Sequence, residues 1–216
     1  MSGAAIRGVY AITPEIADTE GLLDRVSLAL KGGVRVVQYR NKNAPVELKH
    51  QQSLALQTLC RGFEVPFIIN DDVELAEHVG ADGVHLGQAD ATISEARAML
   101  GVNSIIGISC YNQIALAERA LSESADYVAF GSFFPTANKR DAVVAPLNIL
   151  REAEGRFRAP VVAIGGIRLE NAGEVIAAGA DALAIISGLF DARDITATAR
   201  VFGQLFELHV AQPAAF

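Results

Sequence analysis

Short apolar runs rich in β-branched residues alternate along the chain with longer segments in which apolar residues recur every three or four positions. The short runs are five or six residues long, which suits buried strands, whereas the longer segments suit amphipathic helices. Strands are predicted at 8–12, 34–38, 66–70, 83–87, 104–109, 127–132, 161–166 and 182–187. Helical spacing is found at 21–33, 45–62, 171–178 and 195–208. Helices are predicted to end near Gly32, Gly62, Gly80, Gly101 and Gly179.

Eight strand candidates separated by helical segments within 216 residues predict an α/β fold, a single-domain (β/α)₈ TIM barrel. An open, doubly wound sheet has the same alternation and is the main alternative. The first strand is not followed by GxGxxG, so a Rossmann dinucleotide site is not predicted. Because no linker or low-complexity segment divides the chain, we expect one domain at 1–216, with its core at about 8–208 and short frayed ends.

One helix-to-strand junction recurs three times. The segments "GADGVHLG", "SADYVAFG" and "GADALAIIS" each place Ala-Asp between the end of a helix and an apolar strand. Aspartate is common at turns because its side chain accepts hydrogen bonds from nearby backbone. We therefore expect the aspartate to turn the chain at each junction.

Composition narrows the classes of partner. The net charge of −7 argues against a general nucleic-acid or anionic-membrane binder, and no apolar run approaches the ~20 residues of a membrane span. The start of the chain lacks the pattern of a signal peptide, and Cys60 and Cys110 form no CxxC pair. We expect reduced thiols, a cytoplasmic protein and small-molecule partners. The sequence leaves the oligomeric state open, a homo-oligomer included.

Polar residues gather at the carboxyl ends of the predicted strands, where the active site of a (β/α)₈ barrel lies. They are Gln38, Arg40, Lys42, Asn70, Asp71, Asp72, His85, Gln88, Asp90, Ser109, Gly165, Gly166, Ser187 and Gly188. The amino ends of the same strands are much plainer. This asymmetry predicts a site at the carboxyl-terminal mouth of the barrel.

The stretch "VRVVQYRNKN" carries the cations of this mouth. Side chains alternate along a strand, so Val34 and Val36 should fill the barrel. Gln38, Arg40 and Lys42 should then rise into the mouth if the extended conformation continues. Arginine and lysine placed in this way suit a multiply charged anion such as a diphosphate. The alternative is a solvated transition from strand to loop.

Asp71 and Asp90 follow neighbouring predicted strands, close to the cations. Two carboxylates there suit Mg²⁺, which binds a few carboxylates together with substrate oxygens. The alternative is that Asp71 or Asp90 caps the helix that follows it. Asp72 is the better candidate for a cap, because it directly precedes "VELAEHVG".

The seventh and eighth strands end in "AIGGI" and "IISGLF", sequences that suit a phosphate site. Backbone N–H groups of such loops, and of the helices after them, commonly bind a phosphate, and Ser187 can add a hydroxyl. The alternative is that the glycines only make tight turns. The loop "FFPTANKRD" after the sixth strand suits a substrate cover, or else a solvent-exposed connection.

The sequence contains no recognisable nucleophile–base pair. It has no GxSxG, HExxH or Walker pattern, and Cys110 has no histidine partner in sequence. His85 on its apolar strand is interpreted as a hydrogen-bonded core residue or as a base.

The segments "QYRNK", "NDD", "GVHLGQAD", "GISCYN", "FFPTANKRD", "VAIGGI" and "ADALAIIS", in this order, resemble the thiamine-phosphate synthase (thiamine monophosphate pyrophosphorylase) family over about residues 8–208. The resemblance implies a transferase of thiamine biosynthesis. The family couples 4-amino-2-methyl-5-hydroxymethylpyrimidine diphosphate to hydroxyethylthiazole phosphate. The products are thiamine phosphate and diphosphate, and the displacement is expected to be dissociative and assisted by Mg²⁺.

The resemblance also implies roles for individual residues. Gln38, Arg40, Lys42, Asn70, Ser109 and Lys139 would hold the pyrimidine diphosphate, with Arg40, Lys42, Ser109 and Lys139 catalytic. Asp71 and Asp90 would bind Mg²⁺. The thiazole phosphate would contact Thr136, Asn138, Gly166, Ile186 and Ser187. The family usually has threonine where this chain has Asn138, which puts the efficiency of the thiazole contact in question.

Three alternatives on the same barrel remain open. A thiazole tautomerase-like relative should lack the paired cation and carboxylate sets. A non-catalytic phosphate-binding module should show loss of metal or diphosphate positions. A sugar-phosphate epimerase would leave the diphosphate cluster unexplained.

Overall fold

The computed structural model describes residues 6–135 and 144–210, with side chains described as far as residue 209. The strands are β1 (Gly8–Ile12), β2 (Val36–Tyr39), β3 (Phe67–Asn70), β4 (Gly83–Leu86), β5 (Ile105–Tyr111), β6 (Tyr127–Gly131), β7 (Val161–Ile164) and β8 (Ala182–Ile185). The helices are α1 (Thr19–Lys31), α2 (Val46–Gly62), α3 (Val73–Val79), α4 (Ile93–Leu100), α5 (Ile114–Ser122), α6 (Asn148–Arg156), α7 (Leu169–Ala177), α8 (Ser187–Phe190) and α9 (Ile195–Val210). None of the helices in these ranges combines the length and the apolar character that crossing a bilayer requires.

The eight strands form a closed parallel barrel in chain order. Closure is made by β1, in which Tyr10 pairs with Val36 of β2 on one side and with Ala184 of β8 on the other. An open, doubly wound sheet would leave β1 and β8 unpaired with each other. The prediction of a (β/α)₈ barrel is therefore confirmed, and the open-sheet alternative is wrong.

Two apolar layers lie on opposite sides of the strands. Inside the barrel, buried side chains from the strands and from the residues just before β1 form one cluster: Ile6, Tyr10, Ile12, Val36, Ile68, Ile105, Tyr127, Ala129, Val162, Ala182 and Ala184. A larger cluster fills the space between the strands and the helices. Val34 belongs to this outer cluster, so its predicted place inside the barrel is wrong. The ladder of β2 starts only at Val36, and the N–H of Val34 is still bonded to the Ala29 carbonyl at the end of α1.

The three Ala-Asp junctions share a contact at the amino-terminal end of the barrel. Asp82, Asp126 and Asp181 each begin a strand segment and turn a carboxylate toward the preceding strand. Their Oδ2 atoms accept the backbone N–H of Phe67, Ile106 and Val161 at 2.8, 2.8 and 2.9 Å. Each aspartate thus satisfies a backbone donor at the start of β3, β5 or β7, where an unpaired buried donor would be costly. Each junction therefore links two neighbouring strands, namely β3 with β4, β5 with β6, and β7 with β8.

Replacing Asp126 with alanine should destabilise the fold by about 2 kcal/mol, because it leaves two donors without their acceptor. These are the Ile106 N–H and the Arg97 guanidinium, whose Nη2 lies 2.8 Å from Asp126 Oδ2. Urea unfolding followed by circular dichroism measures the change. Asp24→Ala, an exposed change on α1, is the control and should alter the free energy of unfolding by less than ~0.5 kcal/mol. Equal effects of the two changes would contradict the role given to Asp126.

Candidate active site

The polar strand ends surround a cavity of about 730 Å³ at the carboxyl-terminal mouth of the barrel. Each predicted site residue within the described ranges lines it: Gln38, Arg40, Lys42, Asn70, Asp71, Asp90, Ser109, Gly166, Ile186 and Ser187. Thr136, Asn138 and Lys139 lie outside the described residues. The structure therefore brings the described part of the predicted set to one place.

The cations reach the cavity from the segment that follows β2, in which Lys42 lies in a turn. The strand β2 ends at Tyr39, so the extended conformation does not continue to Lys42. The Arg40 guanidinium pairs with the Glu15 carboxylate at 2.8 Å, and Lys42 Nζ pairs with Asp71 Oδ2 at 2.9 Å. Both cations that line the cavity from this segment are therefore paired with a carboxylate.

Asp71 and Asp90 form an acidic pair at the rim of the cavity. Their carboxyl groups are close enough for a hydrogen bond, and Asp90 Oδ2 also accepts the N–H of Gly87 at 2.7 Å. Desolvation raises the pKa of Asp90, and the negative charge of Asp71 raises it further. Two adjacent carboxylates with room for substrate oxygens fit Mg²⁺. Within the described ranges no group of three or more His, Cys, Asp or Glu side chains is placed to hold a metal.

Neither member of the acidic pair caps a helix. The N-cap of α3 is Asp72, whose carboxylate accepts the N–H of Leu75 at 2.9 Å, and this confirms the cap predicted there. The N-cap of α4 is Thr92, which forms a capping box with Glu95. The structure thus removes the helix-cap alternative for Asp71 and Asp90.

The loops after β7 and β8 form the opposite wall of the cavity. Gly165 and Gly166 have φ values of 103° and 65°, in the region that favours glycine. A Cβ atom on Gly166 would lie 2.6 Å from the Pro135 carbonyl oxygen, and one on Gly165 would lie 2.0 Å from Ser132 Oγ. The two glycines therefore make a tight turn, and this turn lines the cavity on the side where the phosphate site is predicted. Ser187 is exposed at the start of α8.

A chain of hydrogen bonds crosses the floor of the cavity, inside the barrel. Gln38 Nε2 donates to the Tyr10 hydroxyl at 2.9 Å, and the Tyr10 and Tyr127 hydroxyls lie 2.8 Å apart. The Tyr127 hydroxyl lies 2.9 Å from His85 Nδ1. His85 Nε2 lies 2.9 Å from Ser109 Oγ. We call these five residues the floor chain.

His85 is a hydrogen-bonded residue that also lines the cavity. Burial lowers its pKa to about 4, against the opposing effect of the Asp71 charge. The imidazole is therefore neutral near pH 7. Both ring nitrogens are engaged by members of the floor chain, so the structure favours the hydrogen-bonded interpretation of His85 over a free base.

Sequence reasoning missed Tyr10, Tyr127 and Glu15. The two tyrosines lie in apolar runs and look like ordinary core residues. One signal was present: Gly107 interrupts β5, and a Cβ atom there would lie 1.9 Å from Tyr127 Cζ. A glycine within a strand often marks a close approach of another group. Glu15 lies in the loop after β1, and no local pattern connects it with Arg40.

The closed barrel and the polar cavity at its mouth place the chain in the class of (β/α)₈-barrel proteins whose site lies at the carboxyl ends of the strands. Residues 9–189 match the model of the family described as thiamine monophosphate synthase. The thiamine-phosphate synthases of Nitrosospira multiformis and Thiobacillus denitrificans are each 51% identical to the chain. The first alignment covers 97% of this chain and 89% of the relative, and the second covers 92% and 94%. The chain belongs to the thiamine monophosphate synthase family.

A solved structure agrees with this assignment. The thiamine phosphate pyrophosphorylase from Pyrococcus furiosus superposes with a TM-score of 0.84 at 37% sequence identity. The match covers 93% of this chain and 96% of that protein. The family and the fold are thus supported over nearly the whole chain.

Proposed function

We propose that the chain couples 4-amino-2-methyl-5-hydroxymethylpyrimidine diphosphate to hydroxyethylthiazole phosphate, giving thiamine phosphate and diphosphate. The observation that carries the proposal is the single cavity in which two cations and an acidic pair face a glycine-rich wall. Such a cavity suits two phosphorylated ligands side by side. The names of the relatives at 51% identity agree with this activity.

The diphosphate half of the site consists of the cations and the acidic pair. Asp71 and Asp90 would hold Mg²⁺, which when bound would neutralise charge on the departing diphosphate. Arg40 and Lys42 would exchange their present carboxylate partners for phosphate oxygens, since each is already oriented by an ion pair. Gln38, Asn70 and Ser109 complete this half, and Lys139, which lies outside the described residues, is proposed to join it.

The thiazole half of the site is the wall formed after β7 and β8. Gly166 lines this wall of the cavity, and Ile186 and Ser187 would contact the phosphate from the start of α8. Thr136 and Asn138, which lie outside the described residues, are proposed to contact the thiazole.

The reaction needs orientation and charge stabilisation more than a covalent nucleophile. The electron-rich aminopyrimidine can carry positive charge at its methylene carbon as the diphosphate leaves, and the thiazole nitrogen then forms the new C–N bond. The chain must hold both ligands in line and exclude water. Cys110 is not a competing nucleophile, because burial raises the pKa of its thiol to about 12.

A coupling assay tests the proposed function. The protein is incubated with both substrates and Mg²⁺, and thiamine phosphate is measured by mass spectrometry, with each substrate omitted in turn and with a chelator as controls. We expect thiamine phosphate only in the complete mixture. Isomerisation of the thiazole alone would favour the tautomerase-like alternative. Binding of both ligands without any product would favour the non-catalytic module.

We also propose a cytoplasmic location for this enzyme. Cys60 and Cys110 are both free and buried. Free thiols of this kind suit a reducing compartment, where disulfides are rare. Fractionation of cells followed by immunodetection tests this proposal.

A further inference from the structure

The hydroxyl hydrogens of the floor chain have a single consistent direction. Because Gln38 Nε2 can only donate, the Tyr10 oxygen accepts and its own hydrogen must go onward. The Tyr127 oxygen, 2.8 Å away, is the acceptor placed to receive it. Tyr127 then donates in turn, and the atom within reach is His85 Nδ1 at 2.9 Å.

The reverse direction leaves a buried hydrogen without an acceptor. Tyr10 and Tyr127 are 1% and 0% exposed, so an unpaired hydroxyl there would cost ~1–3 kcal/mol. Burial raises the pKa of both phenols, so each keeps its proton at neutral pH. The direction is thus decided by the amide at one end of the floor chain.

This direction selects the tautomer of His85. A neutral imidazole that accepts at Nδ1 carries its hydrogen on Nε2. Nε2 therefore donates to Ser109 Oγ, 2.9 Å away. The Tyr127 ring also stacks on the imidazole, with centroids 5.5 Å apart and planes inclined by 26°, and this fixes the orientation of His85.

We infer that Tyr127, acting through His85, is a positioning residue that makes the Ser109 hydroxyl a donor toward the ligand in the cavity. Because Ser109 Oγ accepts from His85, its own hydrogen is left to point to an acceptor outside the floor chain. The Ser109 backbone is held at the same place by Gln88, whose Nε2 donates to the Ser109 carbonyl at 2.8 Å. The acceptor that suits this hydrogen is an anionic phosphate oxygen of the diphosphate. Only this identification of the acceptor as a diphosphate oxygen rests on the proposed function.

The tautomer of His85 in the ligand-free protein is the first test. The protein is labelled with ¹⁵N-histidine, and the long-range ¹H–¹⁵N spectrum distinguishes a protonated from an unprotonated ring nitrogen. His85→Asn identifies which of the four histidine signals belongs to His85. We expect hydrogen on Nε2 and none on Nδ1. Hydrogen on Nδ1 would overturn the inference, whether or not the chain has the proposed activity.

A double-mutant cycle is the second test. Tyr127→Phe removes one hydroxyl and keeps the stacked ring. Direct loss of a preorganised donor typically lowers kcat ~100-fold or more. Because Tyr127 acts through His85 and Ser109, its loss should lower kcat by only about tenfold, and KM for each substrate should change little. In a Ser109→Ala background the same change should alter kcat by less than ~2-fold, because the two residues act as one unit. An equal loss in both backgrounds would mean that Tyr127 does not act through Ser109.

Tyr39→Phe is the matched control for the loss of a phenol. The Tyr39 hydroxyl is also buried and donates to Gln52 Oε1 at 2.8 Å, but it lies outside the floor chain. This variant should leave kcat and the His85 spectrum as they are in the wild-type protein. If Tyr39→Phe lowers kcat as much as Tyr127→Phe does, the effect is general loosening and the inference fails.

Discussion

Substituting asparagine for Asp71 should raise the Mg²⁺ concentration for half-maximal coupling by about tenfold or more, since tenfold corresponds to ~1.4 kcal/mol of metal binding. Asparagine removes one of the two charges of the acidic pair, and Mg²⁺ sites of this kind depend on carboxylates. The backbone of Asp71 has a φ of 64°, which asparagine tolerates, so the fold should be kept. Electron paramagnetic resonance of free Mn²⁺, titrated into the ligand-free protein, measures metal binding separately from turnover.

Asp72→Asn is the control for this substitution. It changes the adjacent carboxylate in the same way, but Asp72 caps α3, and asparagine is an equally good N-cap. The control should therefore bind Mn²⁺ like the wild-type protein. An Asp71→Asn titration that coincides with the wild-type curve would remove Asp71 from the metal site.

Replacing Lys42 with methionine should change the affinities for metal and for diphosphate in opposite directions. The side chains of Lys42 and Asp71 are 53% and 31% exposed. An ion pair that is this exposed to solvent contributes only ~0–1 kcal/mol. The Lys42 ammonium group competes with a metal ion for the Asp71 carboxylate. In its absence, Mn²⁺ without diphosphate should bind up to ~fivefold more tightly. Loss of the cation from the diphosphate half should lower kcat/KM for the pyrimidine diphosphate by about 100-fold.

Lys49→Met separates this effect from a general loss of positive charge. Lys49 lies near the start of α2 and lines a groove beside the active-site cavity, which Lys42 also borders. Lys49→Met should leave both Mn²⁺ affinity and kcat/KM within about twofold of the wild-type values, a difference of ~0.4 kcal/mol. Calorimetry measures the affinities for Mn²⁺ and for the diphosphate product, and steady-state kinetics measures kcat/KM. If Lys42→Met weakens Mn²⁺ binding, Lys42 does not compete for the acidic pair.

The order and type of the elements could be read from the sequence because the barrel is built from repeated local units. Each buried parallel strand is a short apolar run, and each covering helix repeats its apolar positions at helical spacing. The bounds of β1 at Gly8–Ile12 are those predicted. The start of β2 was predicted two residues early, because Val34 is apolar for a different reason: it packs against the helices before the ladder begins.

The candidate site could be predicted only as a set of residues. The strand periodicity predicts Gln38 at the mouth of the barrel, and its side chain is buried there against the cavity. The ion pairs of Arg40 and Lys42 depend on Glu15 and Asp71, which lie on other βα loops. The contact between Tyr10 and Tyr127 joins residues 117 positions apart. Such partners are decided by barrel closure, and local patterns carry no information about them.

The placement of the tyrosines also gives the protein an optical property. The chain has four tyrosines and no tryptophan. Tyr10, Tyr111 and Tyr127 line the cavity, and Tyr39 lines the adjoining groove. The tyrosine fluorescence of the folded protein therefore comes from phenols at or beside the active site. Ligand occupancy can accordingly be followed by tyrosine emission in the unlabelled protein, without a background signal from a remote indole.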